Sequence, residues 1–415
     1  MAMACLASGL AAVDPAAAVV RALEQGPDDA PFTRLVALGK AALPMALAAD
    51  SWQHRKRRAW DATLVVCPPD AGSRSTRLTI AHGEHPVPGH RSVAAAAALN
   101  TMSAGVGPND RTLLLLSGGT TSLVAAPVPG VSLASLQQIF RMLLASGLDI
   151  HAANRVRKQF LAWGGGRLAE ALAPGAITAL AISDVPGDDP ASIGSGPVSP
   201  DSTRAGDVQR LLATHRLELP GDAGTVLQQM VNGKRPETPK PGTRCFRNVH
   251  YRVVASNRLA LEAAAAAATA QGFAAIVDSD GLSGEASVAG PAIARRLLSL
   301  PSGGRHALIF GGETTVTLGP SPGIGGRNQE LALAAARELD GSRDLLLLAA
   351  GTDGHDGGSD NAGAMVDGTT WGRIPEAGAL LAAHASEAAL ERARAGVRTG
   401  PTGTNVMDLV IALRW

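Results

Sequence analysis

Short apolar runs of strand length alternate with alanine-rich stretches of helical length, and this alternation constrains the fold more than anything else in the sequence. Residues 35–38 lead through Gly39-Lys40 into a helical stretch at 41–51. Residues 63–67 and 78–81 are short runs bounded by Pro-Pro and His-Gly, and a helical 92–102 precedes the run at 113–116. Leucines and Ile139 recur at helical spacing over 133–145, and the run 177–182 stops at Ser183-Asp184. Such alternation predicts βα units around a largely parallel sheet covered on both faces. After the polar, proline-rich stretch 231–242 the pattern restarts: strands at 251–255, 274–277, 307–310 and 345–349, helices at 259–270 and 328–338, and a final buried strand at 408–413. That stretch reads as a linker. For 415 residues the expectation is two α/β domains, residues 1–235 and 244–415, with a ligand cleft between them.

Two of the apolar runs end alike. Residues 113–116 enter Ser117-Gly118-Gly119-Thr120-Thr121, and residues 307–310 enter Gly311-Gly312-Glu313-Thr314-Thr315. Adjacent glycines permit positive φ and bare N–H groups, so each reads as an anion-accepting turn at a strand's carboxyl end.

Composition removes several function classes. Aromatic residues are only 3% of the chain, so Ala, Leu and Val must build the core. The net charge is +1, from 37 basic and 36 acidic residues, so no global field exists to hold nucleic acid or an anionic membrane. The dense basic cluster His54-Arg55-Lys56-Arg57-Arg58 reads as the C-terminal end of a helix or a solvated face. Cys5, Cys67 and Cys245 are isolated, which suggests neither a disulfide framework nor a zinc site. The apolar N-terminal stretch lacks a basic lead and runs through Asp14-Pro15 into a second helix, unlike a secretory signal. A cytoplasmic protein, monomeric or homodimeric and without a membrane partner, is expected.

Four polar loops follow strands. Gly39-Lys40 places a cation where a helix begins; its charge opposes the helix dipole and hints at an anionic partner. Asp184, Asp188 and Asp189 lie within six positions of a strand end, suited to a hard cation or to orienting a hydroxyl. Gly323-Ile324-Gly325-Gly326 approaches a helix that opens Arg327-Asn328-Gln329, and an arginine fork suits a carboxylate or phosphate. Gly351-Thr352-Asp353-Gly354-His355-Asp356 has spacing compatible with a metal site. Common templates fail: there is no GxxxxGK[ST], no GxSxG, and Asn328 stands where Gly323-Ile324-Gly325 would need its third glycine.

Taken together and in order, these segments resemble the bacterial glycerate 2-kinases, a group whose C-terminal half carries the MOFRL module and which was long labelled hydroxypyruvate reductase. The resemblance rests on residues 38–42, His85-Pro86-Val87-Pro88, Asn154-Arg155-Val156-Arg157-Lys158, residues 183–188, and Gly194-Ser195-Gly196-Pro197. It continues through residues 311–316, 325–330 and 351–354 to Thr402-Gly403-Thr404-Asn405, spanning essentially the whole chain. One departure is Gly164-Gly165-Gly166, where the family usually has Lys-Gly-Gly.

The resemblance implies a Rossmann-like N-terminal domain, a smaller MOFRL-type C-terminal domain, and ATP-dependent, Mg²⁺-requiring phosphorylation of D-glycerate at its 2-hydroxyl. Lys40 and Arg327 resemble the family's catalytic pair, with Arg327 on the glycerate carboxylate and Lys40 on the transferring phosphoryl. Asp184 is expected to act beside them, with Asp189 and Asp353 near the metal. Ser117, Gly118, Gly119, Thr120, Gly311, Gly312, Glu313, Thr314 and Asn328 are expected to contact substrate or nucleotide, the two Gly-Gly turns on opposite walls. An NAD(P)H-dependent hydroxypyruvate reductase is the alternative, disfavoured by the absent dinucleotide fingerprint.

Overall fold

The computed structural model describes residues 1–26, 31–71, 77–319 and 321–415. The chain forms two compact units: residues 15–254, and residues 1–14 together with 255–415.

The first unit is built on six strands: β1 (Arg34–Leu38), β2 (Ala62–Cys67), β3 (Ile80–His82), β4 (Arg111–Leu116), β5 (Ala176–Ile182) and β6 (Val249–Ala255). They lie in the order β3-β2-β1-β4-β5-β6, and the pairs from β3 to β5 are parallel. This is the doubly wound Rossmann order, whose strand direction of travel reverses between β1 and β4. Both faces are covered, as the continuous apolar runs predict. Val36, Leu38, Leu114 and Leu116 pack toward the helices His90–Ser103 and Arg167–Leu172, while the helix Ala42–Arg55 packs on β1 and β2. All four leucines of β4 from Leu113 to Leu116 are fully buried, each stabilising the fold by about 2 kcal/mol. A separate helical layer, Leu133–Ala145, Ile150–Phe160, Ala205–Thr214 and Gly221–Val231, shares its own apolar cluster.

The basic cluster does close a helix, with His54 and Arg55 in the last turn of Ala42–Arg55. The three cysteines are free. Among the described residues no single helix is long and apolar enough to cross a membrane.

The units divide at a different point from the expected 1–235 and 244–415. The proline-rich stretch is tied down within the first unit: Thr238 donates to Asp201 at 2.9 Å, and the Lys240 ammonium donates to the Thr203 carbonyl at 2.6 Å. β6 then adds to the edge of β5, so the boundary falls after Val254. A turn-rich composition marks irregular backbone, not necessarily a domain junction.

The second unit contains β7 (Ala274–Val277), β8 (His306–Gly312), β9 (Leu345–Gly351), β10 (Gly363–Asp367), β11 (Gly396–Val397) and β12 (Asp408–Arg414), in the order β11-β10-β9-β12-β8-β7. Among the described residues β7 and β8 are the one parallel strand pair of this sheet; β12 runs antiparallel to both β8 and β9. The sheet is therefore mixed, where the alternation predicts mainly parallel pairing. Helix Arg327–Leu339 is buried from Asn328 to Ala336. Its backbone meets helix Ala286–Leu298 so closely that a Cβ on Gly290 would lie 2.1 Å from the Leu331 carbonyl oxygen. Helix Ala2–Ala12 also belongs here, packed on helix Asn257–Ala270.

Candidate active site

In the first unit, β1 and β4 deliver Gly39-Lys40 and residues 117–121 side by side at their carboxyl ends, the position where doubly wound sheets bind ligands. Backbone bonds lock the loops together: Lys40 N–H donates to the Gly118 carbonyl at 2.9 Å, and Ala41 N–H to the Ser117 hydroxyl at 3.1 Å. Thr120 is buried and its hydroxyl donates back to the Leu38 and Ser117 carbonyls, each at 2.8 Å. Ser117 and Thr120 thus brace the loop. Gly119 has φ 82°, the left-handed region that favours glycine, and starts the short helix Thr120–Leu123. Lys40 itself is exposed.

Asp184, two residues beyond β5, lies against the same loop. A Cβ on Gly118 would sit 2.3 Å from its Oδ2, so glycine is what admits the carboxylate there. Burial pushes the Asp184 pKa above its usual value, with its backbone N–H and the Lys40 charge pulling the other way. A Cβ on Gly119 would lie 3.1 Å from Lys40 Cγ and 3.2 Å from His85 Cδ2. His85 therefore flanks the lysine, and its pKa is lowered to about 4 by burial and by the charges of Lys40 and Arg157. Burial also lowers the Arg157 pKa; its guanidinium lies 5.2 Å over the Phe140 ring and its buried Nε has no partner. A polar chain continues from Thr121 Oγ1 to Ser195 Oγ at 3.0 Å and on to Asn154 Oδ1 at 3.2 Å.

Asp189 is used differently. Its Oδ1 accepts from Ala191 N–H at 3.0 Å and its Oδ2 from the Ser192 hydroxyl at 2.7 Å, so both oxygens close the loop after β5. His85 and Arg157 were given no role from sequence, although both lie in the stretches that carry the family resemblance. A histidine before Pro-Val-Pro and an arginine within a helix carry no local signal of chemistry.

In the second unit Arg327 opens its helix and is doubly held. Nε donates to Asp408 Oδ2 at 2.6 Å, Nη2 to Oδ1 at 2.9 Å, and Nη1 pairs with Glu313 Oε1 at 3.0 Å. Burial works against the guanidinium charge, yet Asp408, Glu313 and Asp356 outweigh it and raise its pKa above the ordinary arginine value. Asp408 is almost wholly buried, and burial raises its pKa despite the arginine. Asn328 does not point a free amide at a ligand. Its backbone and side-chain nitrogens both donate to Asp356 Oδ1, at 3.0 and 3.3 Å, while Gln329 does the same to Oδ2 at 2.8 and 3.2 Å. The helix N-terminus thus already carries its anion, and Asp356 supplies it. Asp353 lies nearby, its Oδ1 accepting from His355 N–H at 3.0 Å.

The second Gly-Gly pair differs from the first. Gly311 and Gly312 are the last residues of β8, not a turn. A Cβ on Gly311 would meet Asn257 Oδ1 at 1.9 Å, and one on Gly312 the Leu282 carbonyl oxygen at 2.5 Å. Close packing explains Gly311, whereas Gly312 also takes the expected positive φ, 129°. The adjoining residues Glu313 and Thr314 line a cavity of about 550 Å³ with Arg327 and Glu330.

The chain is similar to known proteins over most of its length. Residues 1–228 match a domain of unknown function, DUF4147, and residues 306–408 match the MOFRL family. An Agrobacterium vitis protein with the provisional name hydroxypyruvate reductase is 38% identical, over 97% of this chain and 91% of its own. A Pyrococcus horikoshii glycerate 2-kinase is 36% identical over 91% of this chain and 86% of its own. The crystal structure of a Thermotoga maritima glycerate kinase superposes with a TM-score of 0.88 at 35% identity, covering 99% of this chain and 98% of that one. The chain belongs to the glycerate 2-kinase family, with both of its parts, DUF4147 and MOFRL, in place.

Proposed function

We propose that this protein transfers the γ-phosphoryl group of ATP to the 2-hydroxyl of D-glycerate, giving 2-phosphoglycerate and ADP. The observation that carries the reading is Lys40 beside the Gly118-Gly119 loop and Asp184 at the β1/β4 switch point. Phosphoryl transfer requires positioning and charge neutralisation more than covalent chemistry. Lys40 supplies a mobile cation for the equatorial oxygens, and the Gly118-Gly119 loop supplies close backbone approach. Asp184, whose pKa is raised by burial, is suited to accept the proton of the attacking hydroxyl. Arg327, aligned by Asp408, receives the glycerate carboxylate on the edge that Glu313 holds in the structure.

The family resemblance implies Mg²⁺. Among the described residues no three His, Cys, Asp or Glu side chains converge on a metal position. Asp189 has both oxygens engaged, and Asp353 has one. This donor set does not fit a cage made by protein alone. The requirement of a magnesium ion carried on nucleotide phosphates is smaller, one or two carboxylates at most, and Asp353, with one oxygen engaged by a backbone N–H, would be the candidate for it. When bound, such an ion neutralises phosphate charge.

The reductase alternative gains nothing from the fold. In a doubly wound sheet the dinucleotide turn follows β1, where this chain reads Gly39-Lys40-Ala41-Ala42-Leu43-Pro44, with Ala41 and Pro44 in place of the second and third glycines. The test is a pair of assays on the purified protein: ADP release with ATP and D-glycerate, and NAD(P)H oxidation with hydroxypyruvate. Activity in the first and none in the second is expected; the reverse overturns the proposal. Identification of the product as 3-phosphoglycerate overturns its regiochemistry.

A further inference from the structure

The cavity of about 550 Å³ lies wholly within the second unit and within the size range of small-ligand sites. Its lining is chemically divided. Val316, Leu318 and Ile324 form an apolar part, and Leu318 and Ile324 are each 61% exposed. Glu330, only 3% exposed, forms a polar part with His384, whose Nδ1 lies 2.9 Å from Glu330 Oε2. Glu313 and Arg327 complete the charged groups. The wall made by the glycine loop is firmly seated: a Cβ on Gly323 would lie 2.5 Å from Ala385 Cβ, and one on Gly325 2.0 Å from Ser386 Oγ.

Charge decides what can occupy this space. Arg327 is compensated by Asp408 and Glu313, which leaves the Glu330 carboxylate facing the cavity beside a histidine. A polyphosphate would meet repulsion there. A neutral heterocycle with amine and hydroxyl donors would instead find an acceptor in Glu330 and apolar contact along Val316, Leu318 and Ile324. A flat partner at this opening would bury the two large apolar side chains, Leu318 and Ile324, that now face water there.

We infer that this cavity binds the purine base and ribose of the nucleotide, with the phosphates directed out of it. The assignment rests on the kinase reading and adds to it the location of the nucleoside. Two experiments test it on the full-length protein. In the first, Leu318→Asp and Ile324→Asp are assayed with ATP and glycerate. Each is expected to raise KM for ATP by about tenfold, the loss of one good apolar contact, with KM for glycerate and kcat within about twofold of the parent. Unchanged KM for ATP in both variants overturns the inference while the kinase activity stands. In the second, adenosine binding is measured by calorimetry, with inorganic tripolyphosphate as the control. Adenosine binding that both variants weaken supports the site. Adenosine binding unaffected by either variant, or none at all, overturns it. If the parent protein binds adenosine but does not phosphorylate glycerate, the kinase reading fails and the nucleoside site remains.

Discussion

Arg327, at the first turn of its helix, grips Asp408, at the first residue of β12, through two parallel hydrogen bonds of 2.6 and 2.9 Å. The fork fixes the guanidinium plane and leaves only its Nη1 edge to Glu313. An arginine held on one side in this way presents its remaining edge with little loss of side-chain freedom.

Removing the grip should therefore damage activity through orientation. Asp408→Asn is expected to lower kcat/KM by about 10²-fold and to destabilise the protein by about 3 kcal/mol, the cost of breaking a buried pair from one side. Steady-state kinetics and urea unfolding measure the two effects. Arg327→Lys should rescue neither, because an ammonium cannot bridge both oxygens.

Glu313 competes for the edge that glycerate is proposed to take. Glu313→Gln weakens that competition, so KM for glycerate should fall by about threefold while kcat changes little, an effect of under 1 kcal/mol on a half-exposed pair. Initial rates at varied glycerate decide the matter, and a raised KM would show that Glu313 helps binding instead.

Lys40 is exposed, and its bond to the Gly118 carbonyl comes from the backbone and survives loss of the side chain, whereas Gly118 leaves room for Asp184. Lys40→Ala should cost about 10²–10³ in kcat with the melting temperature unchanged. Gly118→Ala should also depress kcat, because the added methyl must displace the Asp184 carboxylate, and it should destabilise the fold by about 1–3 kcal/mol through overpacking. Kinetics and thermal melts on both variants separate the two cases.

His85 provides a pH signature. Its folded pKa is about 4 against an ordinary 6.5, so between these values the unfolded chain binds the extra proton. Its contribution is neutral above pH 6.5 and becomes destabilising as pH falls toward 4. NMR titration of the His85 ring should show the low value directly. In Lys40→Ala the value should rise yet stay below 6.5, since burial is the larger cause and Lys40 the second. An unmoved titration would place the lysine charge away from the ring.

Several elements were legible because the local signal and the tertiary outcome coincide. The leucine run of β4 and helix Leu133–Ala145 emerged where apolar period and length agreed. The position of Lys40, between β1 and the helix Ala42–Arg55, was legible because Gly39 ends an apolar run and an alanine-rich stretch follows. The role of Asp356 was hidden: one more acidic residue in a glycine loop looks like a metal ligand until the fold brings Asn328 and Gln329 to it. Gly311 misled because glycine needed for close packing and glycine needed for positive φ are the same letter in sequence, and only its neighbour Gly312 takes positive φ. The antiparallel insertion of β12 between β8 and β9 is a long-range pairing that no local pattern encodes.

Helix Ala2–Ala12 belongs with a unit that otherwise begins at residue 255, and its Gly9 lies close to Ala260 and to Leu409 of β12. During synthesis this helix is made well before its packing partners. The unit of residues 15–254 can fold while the ribosome is still translating the remainder, but the buried face of Cys5, Leu6 and Gly9 must wait, uncovered, until the final strand is complete. The nascent chain thus carries an uncovered apolar helix face while residues 15–254 are made and folded, which makes that segment a natural point for chaperone capture.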